Sequence, residues 1–166
     1  ILFATIVRIA VFFGIDLNIV RISNEDFTKV FINWPDETKE EVIKVEVLAQ
    51  QWMWSFRLAG KDGVFNTEDD VVTVNDLRVP VGKKVYFQIT SKDVIHSFFI
   101  PNARRKVDAI PGRITKMWMK FTKEGYWNIA CAEMCGTHHY NMKAYLTTYS
   151  NEDFKPLFSR NCNIIQ

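Results

Sequence analysis

The run from Cys131 to Met142 constrains the fold of this chain most, because it places two thiols, an imidazole and a thioether within twelve residues. A β-type segment, 126–130, leads into this run, and another, 143–149, returns from it. Side chains of such different chemistry are best brought together on a loop that rigid strands hold at both ends. The sequence therefore predicts a β-rich fold that carries its chemistry at one end.

Alternating apolar and polar residues extend this prediction along the chain. Residues 43–49, 81–91 and 114–122 alternate and are rich in β-branched and aromatic side chains, with turn residues between them. The polar, turn-like residues 61–70 predict an insertion in a hairpin. We expect an all-β domain, a sandwich or barrel, with short helical segments near both termini. Those helices are indicated by identical Ser-Asn-Glu-Asp-Phe segments at 23–27 and 150–154, in which serine caps the helix start.

Length and charge limit the functional classes. A chain of 166 residues with 48% hydrophobic content can form one packed domain. The net charge of +2 is too small to indicate nucleic-acid binding, and no stripe of basic residues interleaved with aromatic residues occurs. We therefore expect no nucleic-acid partner.

The donors of the central run are those of a copper site. Sulfur and imidazole suit copper, and a weak thioether contact such as that of Met142 is typical of electron-transfer copper centres. A mononuclear centre of this kind needs one cysteine, whereas Cys131 and Cys135 together could bridge two copper ions. Two ions would need two imidazoles. His138 and His139 are adjacent and project differently, so only one of them easily reaches a metal beside Cys135.

The second imidazole must then come from upstream. The chain has three histidines, and the remaining one is His96, which ends a β-type run and precedes apolar residues. By itself, a histidine in this position is more often a hydrogen-bonded core residue than a ligand. Two other interpretations of the cysteine pair stay open, a disulfide and half of a structural zinc site. His139 and Met142 favour copper, since zinc gives no role to a thioether.

These motifs resemble the copper-binding domain of cytochrome c oxidase subunit II, which carries the binuclear centre called CuA. The family pattern Cys-x-x-x-Cys-x-x-x-His-x-x-Met fits residues 131–142 in register, and its Asp-Val-x-His-Ser segment fits residues 93–97. Residues 108–113 and the aromatic run 51–56 match as well. The resemblance spans about residues 44–149, and the fold it implies is the cupredoxin Greek key.

The resemblance implies a role for each matched residue. Cys131 and Cys135 would bridge the two coppers, and His96 and His139 would be the terminal ligands. Met142 would be the weak ligand of one copper ion.

Two further roles follow from the resemblance alone. The backbone carbonyl of Glu133 would be the weak ligand of the other copper, and its carboxylate would help to hold a magnesium ion where the domain meets the catalytic subunit. Trp52 would be the residue at which electrons arrive from cytochrome c. The alternation of Trp52, Trp54 and Phe56 also fits one buried face of a β-strand.

The implied function is that of the electron-accepting subunit of a haem-copper terminal oxidase. Electrons from cytochrome c would pass through two copper ions to a haem in subunit I, where oxygen is reduced to water and protons are pumped. Subunit I, other oxidase subunits and cytochrome c would be the partners. The chain would lie on the extracytoplasmic, periplasmic face of a bacterial inner membrane, or on the intermembrane-space face of the mitochondrial one. The alternatives are the CuA domain of a nitrous oxide reductase and a copper or zinc module without redox function.

Acidic residues are expected to assist the basic donor. They form a negative rim in sequence around the proposed site and would steer cytochrome c toward it: Glu68, Asp69, Asp70, Asp76 and Asp93.

The domain organisation has three parts. Residues 1–40 form an apolar segment and linker, 41–150 the copper domain, and 151–166 a C-terminal tail or helix. Residues 1–15 are mostly apolar but contain Arg8, and are shorter than the ~20 residues of a spanning helix. We expect them to pack against a partner's membrane helices or to be the remnant of one. Cys162 falls outside the motif and is expected to be a bystander.

Overall fold

A computed structural model of the chain describes residues 42–154, which belong to one compact unit, Glu40–Gln166. The predictions for residues 1–40, for the helix at 23–27 and for Cys162 lie outside the described residues. Within 42–154, no helix is long and apolar enough to cross a membrane.

Within the described residues, ten β-strands form two sheets of five. In chain order they are β1 (Val42–Gln50), β2 (Met53–Leu58), β3 (Val71–Val74), β4 (Asp76–Pro80), β5 (Lys84–Ser91), β6 (His96–Ile100), β7 (Arg105–Ala109), β8 (Thr115–Lys120), β9 (Gly125–Cys131) and β10 (Lys143–Tyr149). The first sheet has the order β3-β2-β1-β5-β8 and the second β4-β10-β9-β6-β7. The prediction of an all-β fold is confirmed.

The sandwich core comes from alternation along the strands. In β1, Val45, Val47 and Ala49 are fully buried, while the residues between them are half-buried. Strand β5 pairs with β1 in parallel and places Phe87 beside Val45. Burying each large apolar side chain of this kind stabilises the fold by about 1.5–3 kcal/mol. Alternation therefore fixes which face of each strand meets the other sheet.

Only part of the alternating aromatic segment after β1 lies on a strand. Trp54 and Phe56 lie on β2 and are fully buried, where both rings pack edge-on against Phe98 of β6. Trp52 instead lies in the two-residue turn between β1 and β2 and is half-buried. The period-2 pattern thus begins one aromatic residue later than the sequence indicates.

Strand directions bring three segments to one end of the sandwich. The Gln51–Trp52 turn joins β1 to β2, residues 92–95 join β5 to β6, and residues 132–142 join β9 to β10. Hydrogen bonds from Lys92 N to Ala49 O, from Gln51 N to the Asp93 side chain and from Ala132 N to Ser97 O tie these segments together. We call residues 131–142 the ligand loop and this end of the molecule the loop end.

Two further predicted elements are present within residues 42–154. The polar insertion 59–70 connects β2 to β3, which pair as antiparallel strands, as the hairpin prediction requires. At the C-terminal side, residues 151–154 are helical, and Ser150 Oγ accepts a 3.1 Å hydrogen bond from the backbone N–H of Asp153. That serine cap was expected from the sequence.

Candidate metal centre

The two sulfur atoms of the ligand loop lie close to each other without being bonded. Cys131 Sγ and Cys135 Sγ are 3.7 Å apart, and both cysteines are free thiols. A disulfide bond measures about 2.05 Å, so the structure has no disulfide at this position. Because metal–sulfur distances are about 2.3 Å, a single ion could contact both sulfurs at this separation. The pair is therefore suited to bridging.

His96 approaches the sulfurs from β6. It is fully buried, and its Nδ1 lies 3.9 Å from Cys131 Sγ and 3.1 Å from Met142 Sδ. The donor atoms of His96, Cys131 and Cys135 all lie within 4.8 Å of one another. The β6 strand thus delivers an imidazole to a loop that begins 35 residues later.

His139 and a backbone carbonyl also approach the sulfur pair. His139 Nδ1 lies 3.4 Å from Cys135 Sγ, and the carbonyl oxygen of Glu133 lies 3.2 Å from Cys131 Sγ. A single 3-10 turn, His139–Asn141, ends at Met142 and turns the loop back into β10. His138 is exposed and stacks edge-on against Trp52 instead, with ring centroids 4.5 Å apart. Only the second histidine of the pair contacts a sulfur.

Asp93 fixes the orientation of His96. Its Oδ1 accepts a 2.8 Å hydrogen bond from His96 Nε2, which leaves Nδ1 facing the sulfur atoms. Its Oδ2 accepts a 2.7 Å hydrogen bond from the backbone N–H of Gln51. A carboxylate behind a histidine is the usual arrangement for holding a metal-binding imidazole in one tautomer and orientation.

Burial and hydrogen bonding shift two pKa values at the site. Burial raises the pKa of the Cys135 thiol to about 12, and a hydrogen bond to Cys131 adds to the effect. Burial alone would raise the pKa of Asp93, but hydrogen bonds from Gln51 and His96 outweigh it and lower that pKa to about 2. Asp93 is thus a carboxylate at neutral pH. Cys135 keeps its proton until a cation replaces that proton on the sulfur.

Trp52 packs directly on the ligand loop. A Cβ atom added at Gly136 would lie 3.2 Å from Trp52 Cζ2 and 2.9 Å from Gln51 Nε2. Gly136 also has a φ of +121°, which favours glycine. The ring therefore rests on the backbone just after Cys135, with no side chain between them.

The prediction of an acidic rim is wrong for three of its five residues, which do not lie at the loop end. Glu68, Asp69 and Asp70 lie in the insertion that follows Leu58, whereas Trp52 immediately precedes the other end of β2. Six residues of strand separate the two positions by about 17 Å. Asp69 and Asp70 are instead used within the insertion, where they accept hydrogen bonds from backbone N–H groups of residues 60, 61 and 66.

The sequence reasoning missed Gln51 and the contact between Asp93 and His96. The spacing of three residues between Asp93 and His96 is a usable signal, since it permits a local hydrogen bond. Gln51 carries no such signal, because its partners lie 42 and 84 residues away.

A β-sandwich with cysteine, histidine and methionine donors gathered on loops at one end defines a cupredoxin-like metal-binding domain. The sequence profile described as cytochrome C oxidase subunit II, periplasmic domain, matches residues 43–148. The chain belongs to this family.

Individual relatives agree with this assignment. The alternative cytochrome c oxidase subunit 2 of Bradyrhizobium diazoefficiens is 36% identical over 146 residues, which cover 75% of this chain. The chain spans 51% of that relative's length. The crystal structure of the periplasmic domain of subunit II of cytochrome oxidase (CoxB) of Bradyrhizobium japonicum superposes with a TM-score of 0.63 at 29% identity. It covers 73% of this chain and 93% of its own.

A second similar structure contains a thioredoxin-like protein. It is the mixed disulfide intermediate between a thioredoxin-like protein and subunit II of cytochrome c oxidase. Its TM-score is 0.57 at 28% identity, with coverage of 73% of this chain and 90% of the other.

Proposed function

We propose that this chain is the electron-accepting subunit of a haem-copper terminal oxidase and carries a binuclear copper centre. The observation that supports this most strongly is the pair of free thiols 3.7 Å apart, with one imidazole near each sulfur atom. A structural zinc site would not use Met142, which is only 2% exposed and contacts both Cys135 and His96. Family membership favours the oxidase over the nitrous oxide reductase alternative.

The distances support a specific division of ligands. Cys131 and Cys135 would hold both ions as thiolates. His96 and Met142 would complete one ion, because their donor atoms are 3.1 Å apart. His139 and the carbonyl oxygen of Glu133 would complete the other; these lie 3.4 Å from Cys135 Sγ and 3.2 Å from Cys131 Sγ, respectively.

The protein contributes rigidity and a low-dielectric environment to this centre. When bound, two thiolate-bridged coppers would accept and release one electron with little change in bonding. Asp93 holds His96 in one orientation, and the surrounding core buries His96, Cys135 and Met142 almost completely. Ligand atoms that are preorganised and shielded from water need little rearrangement when the charge of the centre changes.

Trp52 is the proposed position at which electrons arrive from cytochrome c. Its contact with Gly136 supports this role, because the ring touches the backbone next to a bridging cysteine. Exposed apolar side chains of the ligand loop suit a docked partner: Met134 is 74% exposed and Tyr140 is 83% exposed. Of the five residues predicted for the acidic rim, Asp93 lies at the loop end, where it would meet a basic donor. Asp76 begins β4, which pairs in parallel with β10 and so starts near the same end.

The remaining partners follow from the family. Electrons would pass to a haem in subunit I, where oxygen is reduced to water and protons are pumped. The domain would lie on the extracytoplasmic side of the membrane, held there within the oxidase complex. The exposed carboxylate of Glu133 would share a magnesium ion with subunit I. Residues 1–40 would contact membrane helices, 41–150 would be the copper domain, and 151–166 its C-terminal tail.

Copper loading requires both thiols to be reduced. In an oxidising compartment Cys131 and Cys135 would form a disulfide, and a thioredoxin-like dithiol would supply the two electrons that open it. The mixed disulfide seen with a relative supports this route. Cys131 would be the sulfur attacked first, since it is more exposed than Cys135.

Metal stoichiometry and spin coupling test the proposal together. The reduced full chain is loaded with copper, and bound copper per chain is measured by elemental analysis. Electron paramagnetic resonance of the partly oxidised protein should show one unpaired electron shared equally by two copper nuclei. A single copper per chain, or an electron localised on one nucleus, would contradict the binuclear centre. Copurification of this chain with a haem-containing subunit tests the oxidase assignment separately.

A further inference from the structure

Gln51 makes contact with both segments that carry the proposed ligands. Its backbone N–H donates to Asp93 Oδ2 at 2.7 Å, and Asp93 in turn holds His96. Its side-chain Nε2 donates to the carbonyl oxygen of Cys135, also at 2.7 Å. One residue of the β1–β2 turn thus joins the His96 segment to the ligand loop.

The same turn carries Trp52, whose ring has no polar anchor of its own. The indole N–H of Trp52 is buried and finds no hydrogen-bond acceptor within residues 42–154. The ring is held by packing against Gly136 and His138. The hydrogen bond from Gln51 to Cys135 is therefore the directional contact that sets how this turn meets the loop.

We propose that Gln51 is a positioning residue that locks the tryptophan turn and the ligand loop into one rigid unit. This inference rests on the proposed function, because the groups that Gln51 would hold in place are the proposed electron-entry residue, Trp52, and the proposed copper ligands. Gln51 itself is exposed, and a single hydrogen bond at an exposed position contributes little to folding. Its effect should therefore appear in the geometry of the centre and of the electron path, with little loss of global stability.

The chain offers a matched pair of variants. Gln51→Glu keeps the shape of the side chain but places a carboxylate oxygen, which cannot donate, against the Cys135 carbonyl. Gln50→Glu introduces the same charge one residue earlier, where the amide donates to Met53 Sδ and contacts no proposed ligand. Gln51→Ala removes the hydrogen bond without adding charge.

The first measurement uses the metal-free, reduced full chain. A loosened loop should expose Cys135, so its alkylation by iodoacetamide should become roughly tenfold faster in Gln51→Glu and Gln51→Ala. The Gln50→Glu rate should equal that of the wild type. Thermal unfolding of the same samples establishes that all variants are folded.

The second measurement uses the copper-loaded chain. We expect both Gln51 variants to bind copper but to show a changed hyperfine pattern and roughly tenfold slower reduction by a reduced c-type cytochrome. Gln50→Glu should match the wild type in both. Gln51 variants that equal Gln50→Glu in alkylation, spectrum and rate would overturn the positioning role.

The proposed function and the positioning role of Gln51 would be contradicted by different results. A wild-type chain that holds one metal overturns the proposed function, while the alkylation rates of the metal-free chain still decide whether Gln51 locks the loop. Conversely, a normal binuclear spectrum in the wild type with unaltered Gln51 variants removes the lock and leaves the proposed function intact.

Discussion

Nδ1 of His96 lies 3.1 Å from Sδ of Met142, although the two residues are 46 positions apart in sequence. His96 begins β6 and Met142 immediately precedes β10, so two strands of the same sheet bring the imidazole and the thioether together. Both side chains are buried, at 0% and 2% exposure. An imidazole nitrogen and a thioether sulfur that face each other in a buried site are the donor pair that the proposed shared copper ion would need.

Met142→Leu should retain two coppers and raise the reduction potential. Leucine fills nearly the same volume, so the cost in folding free energy should stay below about 1.5 kcal/mol. Loss of the thioether removes electron density from the centre and destabilises its oxidised form. The potential is measured by redox titration of the visible spectrum. Met134→Leu is the control, since Met134 is 74% exposed on the same loop and should leave the potential unchanged.

Cys135→Ser should abolish the binuclear spectrum. A serine hydroxyl does not replace a bridging thiolate, so the variant should bind at most one copper per chain. Elemental analysis and electron paramagnetic resonance measure this directly. Cys162→Ser provides the matched control, because the third cysteine lies outside the motif. A binuclear spectrum that survives in Cys135→Ser would rule out the bridging role.

The sequence predicted the strands whose alternation is strong and left others unassigned. Residues 143–149 coincide with β10, and 43–49 lie within β1. The short strands β3, β4 and β7 were missed. Strand β4 pairs with the distant β10, whereas β3 and β7 pair with their chain neighbours β2 and β6. Arg105–Ala109 in particular begins with two exposed basic residues, which resemble a loop.

The candidate site also contains residues that could be predicted from the sequence and residues that could not. Side chains with specific chemistry, such as Cys131 and His139, were identifiable because their spacing is local. The hydrogen bond from Gln51 to the Cys135 carbonyl could not be predicted, because a glutamine side chain has no preferred partner and the contact depends on two turns meeting in space. The acidic insertion was misassigned because proximity in sequence says nothing about which end of a strand a loop occupies.

The two ligand-loop thiols of the metal-free chain should differ in reactivity. Burial raises the pKa of Cys135 to about 12, so below that pH its reactive thiolate is scarce. Iodoacetamide at pH 8 should therefore label Cys131 first, and the Cys135 rate should rise about tenfold per pH unit up to pH 12. Mass spectrometry of digested samples assigns the label. Equal labelling of both cysteines at pH 8 would contradict the structure.

Asp93→Asn should weaken both the metal site and the fold in a pH-dependent way. Hydrogen bonds lower the pKa of Asp93 from 3.8 to about 2, so the folded state favours the carboxylate. Its stabilising contribution is present above pH 4 and is lost as the pH falls toward 2. The difference in unfolding free energy between wild type and variant, measured by denaturant titration, should thus shrink from pH 7 to pH 2.

The same substitution should reduce copper affinity roughly ten- to a hundredfold, because His96 loses its charged partner. Competition with a copper chelator measures this change. Glu68→Gln is the control, since Glu68 is an exposed acid on the distant insertion. An equal loss of affinity in Glu68→Gln would mean that net charge alone is responsible.

Trp52→Ala should leave the copper centre intact but make its reduction by cytochrome c much slower. The ring packs on Gly136 and His138 and does not contact a sulfur, so the hyperfine pattern should be unchanged. Because Trp52 is half-buried, the loss of folding free energy should be about 2 kcal/mol, below the ~3–5 kcal/mol of a fully buried tryptophan. Stopped-flow reduction measures the rate.

Trp118→Ala, at a half-buried position on β8 away from the loop end, serves as the control. Wild-type rates in Trp52→Ala would place the electron path elsewhere, with the exposed ring of Tyr140 as the next residue to test.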